Sequence, residues 1–230
     1  MAARSRPRVV EIDGESFERY PIGTHHLTAA DDIVEVVEEH SRSLRRPGDW
    51  LAVSESVVAV TQGRAIPERD IRVGLLARLL WRGVRKVPYG VGLRSPTSMQ
   101  CAINECGAAR ILCASVVGVL GKLVGRRGDF YRVAGMQAAT IDAAHTSPMQ
   151  PDCVILGPKD PDKVVAAIQR ATSCDAAIMD VNDIGGSWVL AATGGVDRPL
   201  LERIMLDNPL GQKDEQTPFA IVRRIEKGAS

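Results

Sequence analysis

The apolar and polar positions of this chain alternate between strand-like and helix-like segments. Short apolar runs between turn residues predict strands, at residues 9–12, 17–22, 50–53, 130–133, 140–142, 153–156, 176–181, 188–192 and 219–225. Helical spacing and start signals predict helices, beginning at 28–31, 96, 108 and 160 and covering 73–84 and 199–206. Residues 54–63 fit either a strand or a helix. With no repeat along the chain, the pattern predicts a mixed α/β or α+β fold with largely aliphatic sheets flanked by helices.

Two helical segments carry more detailed expectations. Leu75, Leu76, Leu79 and Leu80 recur at helical spacing and predict an apolar stripe. In the helix from Ala108 to about Val124, two glycines at 118 and 121 predict close packing against a neighbour. Residues 85–96 read as a loop and 182–186 as a polar turn.

Composition narrows the class of protein without naming a function. The 230 residues carry 29 basic and 28 acidic side chains, and this balance argues against a dedicated nucleic-acid binder. Only 4% of residues are aromatic, so the core is built from aliphatic side chains. Five cysteines without a C-x-x-C pair predict free thiols in a reducing compartment. No apolar run is long enough for a membrane span and no secretory signal is recognisable, so we expect a cytoplasmic protein without a membrane partner.

Several familiar catalytic motifs are absent from the sequence. The glycines at 118, 121 and 125 fit neither a P-loop nor a G-x-G-x-x-G fingerprint, and no G-x-S-x-G or H-E-x-x-H is present. P-loop kinase, dehydrogenase, α/β-hydrolase and zincin are therefore poor interpretations.

Acidic residues at strand ends are the first candidates for chemistry. Asp180 and Asp183 bracket Asn182 where a predicted strand gives way to a glycine turn, and Asp142 ends another apolar segment. Oxygen ligands in this position suit Mg²⁺ or Mn²⁺ that holds a phosphate. On spacing alone the alternative is that Asn182 and Asp183 only form the turn.

Other polar positions admit both a binding and a structural interpretation. Arg64 has the fork geometry for a phosphate or carboxylate, or is a solvated strand-end arginine. His145 lies three residues past Asp142 and is either a ligand contact or half of a surface pair, and His25-His26 face either ligand or solvent. The dense polar loop from Asp207 to Gln212 is either functional or an organiser of a dimer.

Several segments together resemble the coenzyme F-420 gamma-glutamyl ligase family, in particular its short single-domain relatives. The segments that carry the resemblance are residues 21–33, 48–64, 95–100, 128–135, 180–185, 207–212 and 216–218. They include Pro-Ile-Gly-Thr-His-His at 21–26, Gly-Asp-Trp at 48–50 and Asp-Asn-Pro-Leu-Gly-Gln at 207–212. The similar region runs from about residue 18 to residue 225.

The resemblance implies a fold, an activity and a partner set. It implies an α+β fold with an intertwined homodimer, and a ligase that uses GTP or ATP with Mg²⁺ or Mn²⁺. Such an enzyme activates a small carboxylate as an acyl phosphate, which an amine then attacks to form an amide or gamma-glutamyl-type bond. It implies one domain over residues 16–226, with tails at 1–15 and 227–230 and an optional division into two interleaved lobes near 127.

The resemblance also assigns roles to residues. It gives Asp142, Asn182 and Asp183 to the metal, with Asp180 as an alternative. It gives nucleotide contacts to Ser54, Glu55 and His145, and we add Arg64 and Gln212 as further candidate nucleotide or substrate contacts. Two departures matter: lysines of the ligases correspond to Ser56 and Val60 here. The alternatives are therefore an inactive homologue that binds a nucleotide or a deazaflavin, and a purely structural dimer.

Overall fold

The computed structural model describes residues 8–83, 93, 95–126, 128–146, 150–182, 186–211 and 215–225. In its first half the elements are β1 (Val9–Ile12), β2 (Glu15–Ile22), α1 (Ile33–Ser41), β3 (Trp50–Ser54), α2 (Glu55–Thr61), β4 (Ala65–Pro67), α3 (Leu75–Leu80), α4 (Pro96–Cys106) and α5 (Ala108–Leu123). In its second half they are α6 (Asp129–Ala134), α7 (Met136–Ala139), β5 (Cys153–Ile155), α8 (Pro161–Thr172), β6 (Asp175–Asn182), β7 (Gly186–Ala192), α9 (Arg198–Ile204) and β8 (Phe219–Ile225). This content confirms the predicted mixed α+β class.

The chain forms two compact units, and its two ends belong to the same one. The first unit comprises Met1–Thr61 and Asp160–Ser230, and the second comprises Gln62–Lys159. The breaks therefore fall at 61/62 and 159/160, in contrast to the optional division near residue 127 that the sequence suggested. Residues 9–15, which we assigned to a tail, form β1 and the turn into β2.

The first unit contains a six-stranded sheet in the order β1-β2-β8-β3-β6-β7. Only β3 and β6 are parallel neighbours, paired from Trp50 with Asp175 to Ser54 with Met179. The last strand, β8, lies between β2 and β3 and is antiparallel to both. Consequently β2, β3 and β6 run in the same direction, and their carboxyl ends lie at one edge of the sheet.

Helices cover both faces of this sheet. On one face Ala52, Met179 and Ala220 form an aliphatic cluster with Leu201 and Ile204 of α9. On the other face Leu51 and Val53 of β3 and Ile178 of β6 are also fully buried, and there α8 packs on β6 and α1 packs on α8. Both faces of β3 and β6 are therefore in the core, in accord with their continuous apolar sequences.

The second unit has its own core, built around α4 and the short β4–β5 pair. Ser95 caps α4 through a hydrogen bond from Ser98 N, and Gly107 at φ +84° separates α4 from α5. Both helix starts and the Gly107 stop were predicted from the sequence. Within α5, a Cβ on Gly118 would lie 3.0 Å from Phe130 Cβ, so the predicted close packing at this glycine is confirmed.

Four local predictions need correction. Residues 130–133 are helical in α6, because Gly128 and Gly135, both at positive φ, bound a short helix whose tertiary packing overrides β propensity. Residues 140–142 form only a single bridge, from Asp142 to Ile155. Leu75 and Leu79 of α3 are exposed rather than part of a buried stripe. The ambiguous segment 54–63 forms α2, and α1 begins at Ile33 with Asp32 as its N-cap. Most of the loop predicted over 85–96 lies outside the described residues.

Candidate functional site

The carboxyl edge of β2, β3 and β6 brings together several of the segments singled out in the sequence. Ser54 ends β3 and Glu55 begins α2, while Asp180 and Asn182 lie at the end of β6. Because Ser54 pairs with Met179, Glu55 and Asp180 are the next residues of two neighbouring parallel chains. Ligands of parallel sheets bind outside the carboxyl ends of the strands, so this edge is the candidate site of the first unit.

The loop before β8 closes the same edge. Ser54 N donates to Pro218 O at 2.9 Å, and Thr24 N, just past β2, donates to Gln216 O at 3.0 Å. Residues 216–218 were noted in the sequence only as part of a motif, and residues 23–26 as a motif with two histidines that face either ligand or solvent. Their place beside Ser54 depends on the position of β8, which sequence spacing does not reveal.

Among the described carboxylates at this edge, Asp180 has the clearest change of pKa. Burial raises its pKa from the usual 3.8 to about 6, and a hydrogen bond with Asn182 opposes that rise. Asn182 is itself held, since its Oδ1 accepts from Gly186 N at 3.0 Å. Asn182 therefore orients Asp180, a role in addition to the ligand role expected from the sequence.

Glu55 is a second carboxylate at this end of the sheet. In the register of the parallel strands β3 and β6 it follows Ser54 as Asp180 follows Met179. It is only 5% exposed and lies in the first turn of α2, a largely buried helix. Ser54 Oγ and Ser56 Oγ are 3.0 Å apart, so the two hydroxyls share a hydrogen bond. Two acids withdrawn from water at one strand edge are typical of a site that holds a cation.

Behind the edge, a buried arginine anchors the polar loop at 207–211. The Arg19 side chain is fully buried, donates to Ile204 O at 2.9 Å and forms a two-pronged ion pair with Asp207. Thr217 Oγ1 also donates to Leu210 O. The Asp207 carboxylate therefore has a structural partner, and the loop joins the strand edge through Thr217.

The second unit holds the other described candidates. Arg64 is buried, with Nε donating to Gly157 O at 2.5 Å and Nη2 paired with Glu105 at 2.5 Å. The structure thus makes Arg64 a bridge between β4, α4 and the segment after β5, rather than a solvated strand-end arginine. Both partners belong to the protein, so the guanidinium is already engaged by the Glu105 carboxylate and a backbone carbonyl.

Asp142 and His145 lie on one stretch of the second unit. The Asp142 backbone exchanges both hydrogen bonds with Ile155, at 2.8 and 3.0 Å. His145 has a left-handed backbone at φ 68°, and its ring lies 3.8 Å from Glu68 Oε2 in an exposed pair. Thr97 donates to the other oxygen of Glu68 at 2.7 Å. The sequence analysis missed Glu68 altogether, because its partners lie far along the chain.

Two predicted site residues, Asp183 and Gln212, lie outside the described residues. Within the described ranges, no three His, Cys, Asp or Glu side chains are grouped so that they could hold a metal ion. The described residues also contain no single helix that could span a membrane, although the bent pair α4 and α5 passes that test jointly. All five cysteines are free, and burial raises the pKa of Cys101 to about 11.

Fold and edge together define a class: an α+β protein with buried carboxylates at the carboxyl ends of parallel strands. A family model described as F420-0:Gamma-glutamyl ligase matches residues 21–194. This match covers well over half of the chain, so the chain belongs to the F420-0:gamma-glutamyl ligase family. Membership suggests a ligase activity. No curated protein matches the chain.

Proposed function

We propose that this protein is a metal- and nucleotide-dependent carbon–nitrogen ligase that acts on a small carboxylate. In this reaction a carboxylate oxygen of the substrate attacks the terminal phosphorus of GTP or ATP, and the nucleoside diphosphate leaves. The nitrogen of an amine then attacks the acyl carbon, phosphate leaves with the bond electrons, and the nitrogen loses a proton. The observation that carries the proposal is the pair of withdrawn carboxylates, Glu55 and Asp180, at the strand edge.

The residues present at this edge fit Mg²⁺ or Mn²⁺ that is shared with a nucleotide. Mg²⁺ is bound in such enzymes by one or two carboxylates together with substrate phosphates and water, rather than by a complete protein cage. Glu55 and Asp180 supply those carboxylates, and the raised pKa of Asp180 reflects the cost of ionising a carboxyl group that burial withdraws from water. The cation, when bound, neutralises charge on the transferring phosphoryl group.

The remaining residues of the edge have supporting roles in this proposal. Asn182 keeps Asp180 oriented through its bond to Gly186 N. The backbone link from Ser54 N to Pro218 O keeps the start of α2 against the loop before β8. Asp142, Asp183, Arg64, His145 and Gln212 stay candidate contacts, and each is tested separately from the edge.

A thermal-shift experiment tests the proposal directly. We expect the melting temperature to rise with GTP or ATP only when Mg²⁺ or Mn²⁺ is present, and we expect Asp180→Asn to abolish that rise. Asp162→Asn is the matched control, because Asp162 is an exposed aspartate of the same unit. Asp142→Asn, measured in parallel, tests the role that the resemblance assigns to Asp142. If no nucleotide shifts the wild type under any metal condition, the ligase proposal is wrong and a structural protein is favoured.

A second candidate function is nucleotide or deazaflavin binding without turnover. Helix α2 favours it: Val60, where the ligases have a lysine, is 2% exposed and lies in the core. Ser56, at the other lysine position, shares its hydroxyl with Ser54. A triphosphate would therefore lack two cations, each charged hydrogen bond being worth about 1.5–3 kcal/mol. Release of phosphate in the presence of mixed carboxylates and amines distinguishes the two: turnover identifies a ligase, and a melting shift without release identifies a binding protein.

A further inference from the structure

The loop between β2 and α1 contains a hydrogen-bonded pair, His25 and Asp31, separate from the carboxylates at the strand edge. His25 Nε2 lies 2.8 Å from Asp31 Oδ1. The other carboxylate oxygen, Oδ2, accepts hydrogen bonds from Thr28 N at 2.7 Å and from Thr28 Oγ1 at 3.0 Å. These bonds, the one to His25 above all, hold the pKa of the Asp31 carboxyl below its usual 3.8. Asp31 is therefore an ionised group in a fixed position.

The Asp31 carboxylate determines how the imidazole of His25 is protonated and oriented. An ionised carboxylate only accepts hydrogen bonds, so in the neutral ring the proton lies on Nε2 and Nδ1 is an acceptor. Among the described residues Nδ1 of His25 has no hydrogen-bond partner, and the side chain is 55% exposed. A histidine with one nitrogen held by a carboxylate and the other open has the arrangement of a general base.

The pair lies at the strand edge that carries the candidate site. Because β2 runs in the same direction as β3, His25 follows the carboxyl end of β2 as Glu55 follows that of β3. Thr24 N and Ser54 N both donate to carbonyl oxygens of the segment before β8, at 3.0 and 2.9 Å. Only β8 separates the two strands, so their ends are two strand spacings apart, about 10 Å. The side chains at the two ends, with an acyl phosphate and an amine between them, fill that distance.

His25 also lies on the same face of the sheet as Asp180. The centroid of its ring is 6.2 Å from that of His40 in α1. Helix α1 packs on α8, which covers the face of β6 that carries Ile178, and α1 also contacts α2, which begins with Glu55. Asp180 comes two residues after Ile178, and side chains two apart on a strand share a face. The histidine and the buried carboxylates therefore border the same part of the edge.

We propose that His25 is the general base of the ligase reaction and that Asp31 positions its ring. When the amine nitrogen attacks the acyl carbon, phosphate leaves with the electrons of the carbon–oxygen bond. The nitrogen keeps the electrons of its N–H bond, and its proton passes to His25 Nδ1 and then to water. The Asp31 carboxylate stabilises the imidazolium that forms in between. This role rests on the proposed function.

Hydroxylamine separates the role of His25 from the activation of the carboxylate. It is uncharged near neutral pH and attacks acyl phosphates without a base, which gives hydroxamates that form a coloured complex with ferric iron. The full-length protein is supplied with GTP or ATP, Mg²⁺ and mixed small carboxylates, and then with either hydroxylamine or mixed amino acids. In His25→Ala we expect amino-acid-dependent phosphate release to fall by about 100-fold or more, the usual contribution of a general base. Hydroxamate formation should remain close to that of the wild type.

The variant Asp31→Asn tests the positioning role. Since Thr28 holds the side-chain oxygen, the amide NH₂ would face Nε2 of His25 and move the ring proton to Nδ1. This variant should also lose the reaction with amino acids and keep the reaction with hydroxylamine. His40→Gln is the matched control, because Nδ1 of His40 bonds to Val36 O of its own helix at 3.0 Å. This control should keep both reactions.

The outcomes distinguish this role from the ligase activity itself. Added imidazole should restore part of the amino-acid-dependent phosphate release to His25→Ala, and unchanged melting temperatures establish that the variants are folded. A His25→Ala protein that keeps both reactions, or loses both equally, overturns the role of His25 and leaves the ligase proposal standing. A wild type that forms no hydroxamate and releases no phosphate overturns the ligase proposal and this role with it.

Discussion

At the scale of single residues, burial decides which of the candidate side chains differ from ordinary surface groups. Asp180, which the sequence offered as an alternative metal ligand, differs from an ordinary surface carboxylate because burial raises its pKa to about 6. Arg64 was interpreted as a fork for anions, and the structure gives it Glu105 and a backbone carbonyl as partners. The sequence identifies candidate side chains by residue type and spacing. The charge state of each side chain depends on its surroundings in the folded protein.

The raised pKa of Asp180 predicts a pH-dependent penalty on stability. Its pKa is about 6 in the folded protein and 3.8 as the usual value, so the folded state binds the proton more tightly. The stabilisation of the folded state by this tighter proton binding is fully present below pH 3.8 and is lost as the pH rises through 6. At pH 8 we expect Asp180→Asn to have a free energy of unfolding higher than that of the wild type by up to about 3 kcal/mol. This gain should vanish near pH 4.

Urea unfolding of both proteins between pH 4 and pH 8 measures this difference. Asp162→Asn serves again as the control for a substitution at an exposed aspartate of the same unit. A constant gain for Asp180→Asn across the range would contradict the assignment of the shift to Asp180.

At the scale of elements, local signals were reliable where capping or glycine chemistry set a boundary. The Ser95 cap, the Gly107 stop and β8 at 219–225 lie where the sequence predicted them. The failures were short segments such as 130–133, where tertiary packing between two glycine stops overrides β propensity. The helix α2 was ambiguous because its valines fit both periods, and its burial on β3 and β6 decided the outcome.

The contact between α5 and α6 yields an element-scale prediction. A Cβ on Gly121 would overlap Asp129, whose Cγ would lie 3.0 Å away. Asp129 cannot move without loss, since it is buried and paired with Arg126 and Arg132. We expect Gly121→Ala to lower the free energy of unfolding by about 1–3 kcal/mol, measured by urea denaturation.

Gly83→Ala is the control for this change. A Cβ at Gly83 meets no atom of the described residues within 4 Å, and the residue belongs to the same unit. Its effect should be neutral or a gain of up to about 1 kcal/mol, because alanine restricts the unfolded chain. Equal effects of the two substitutions would argue against tight packing at Gly121.

At the scale of the whole molecule, the second unit is an insertion in the first. Gln62 and Lys159, at its two ends, hold each other through hydrogen bonds of 2.7 and 2.9 Å. All six strands of the large sheet belong to the first unit. We expect a variant in which a Gly-Ser-Gly linker replaces residues 62–159 to retain a cooperative thermal transition and the circular dichroism of a mixed sheet and helix protein.

The same variant can also contradict this expectation. A broad, non-cooperative transition would show that the sheet unit depends on the inserted residues for its core. The full-length chain, unfolded under identical conditions, is the reference for cooperativity.

The sequence by itself determined the fold class, most element boundaries and the family, because strand and helix periods, caps and glycine stops act over a few neighbouring residues. Only the tertiary structure decided that β8 lies between β2 and β3, and that Glu55 and Asp180 therefore share one edge. It also decided that Arg64 is enclosed and that Leu75 and Leu79 are exposed. The physical reason is that burial and strand adjacency depend on residues that lie from tens to more than a hundred positions apart, which local periodicity does not encode.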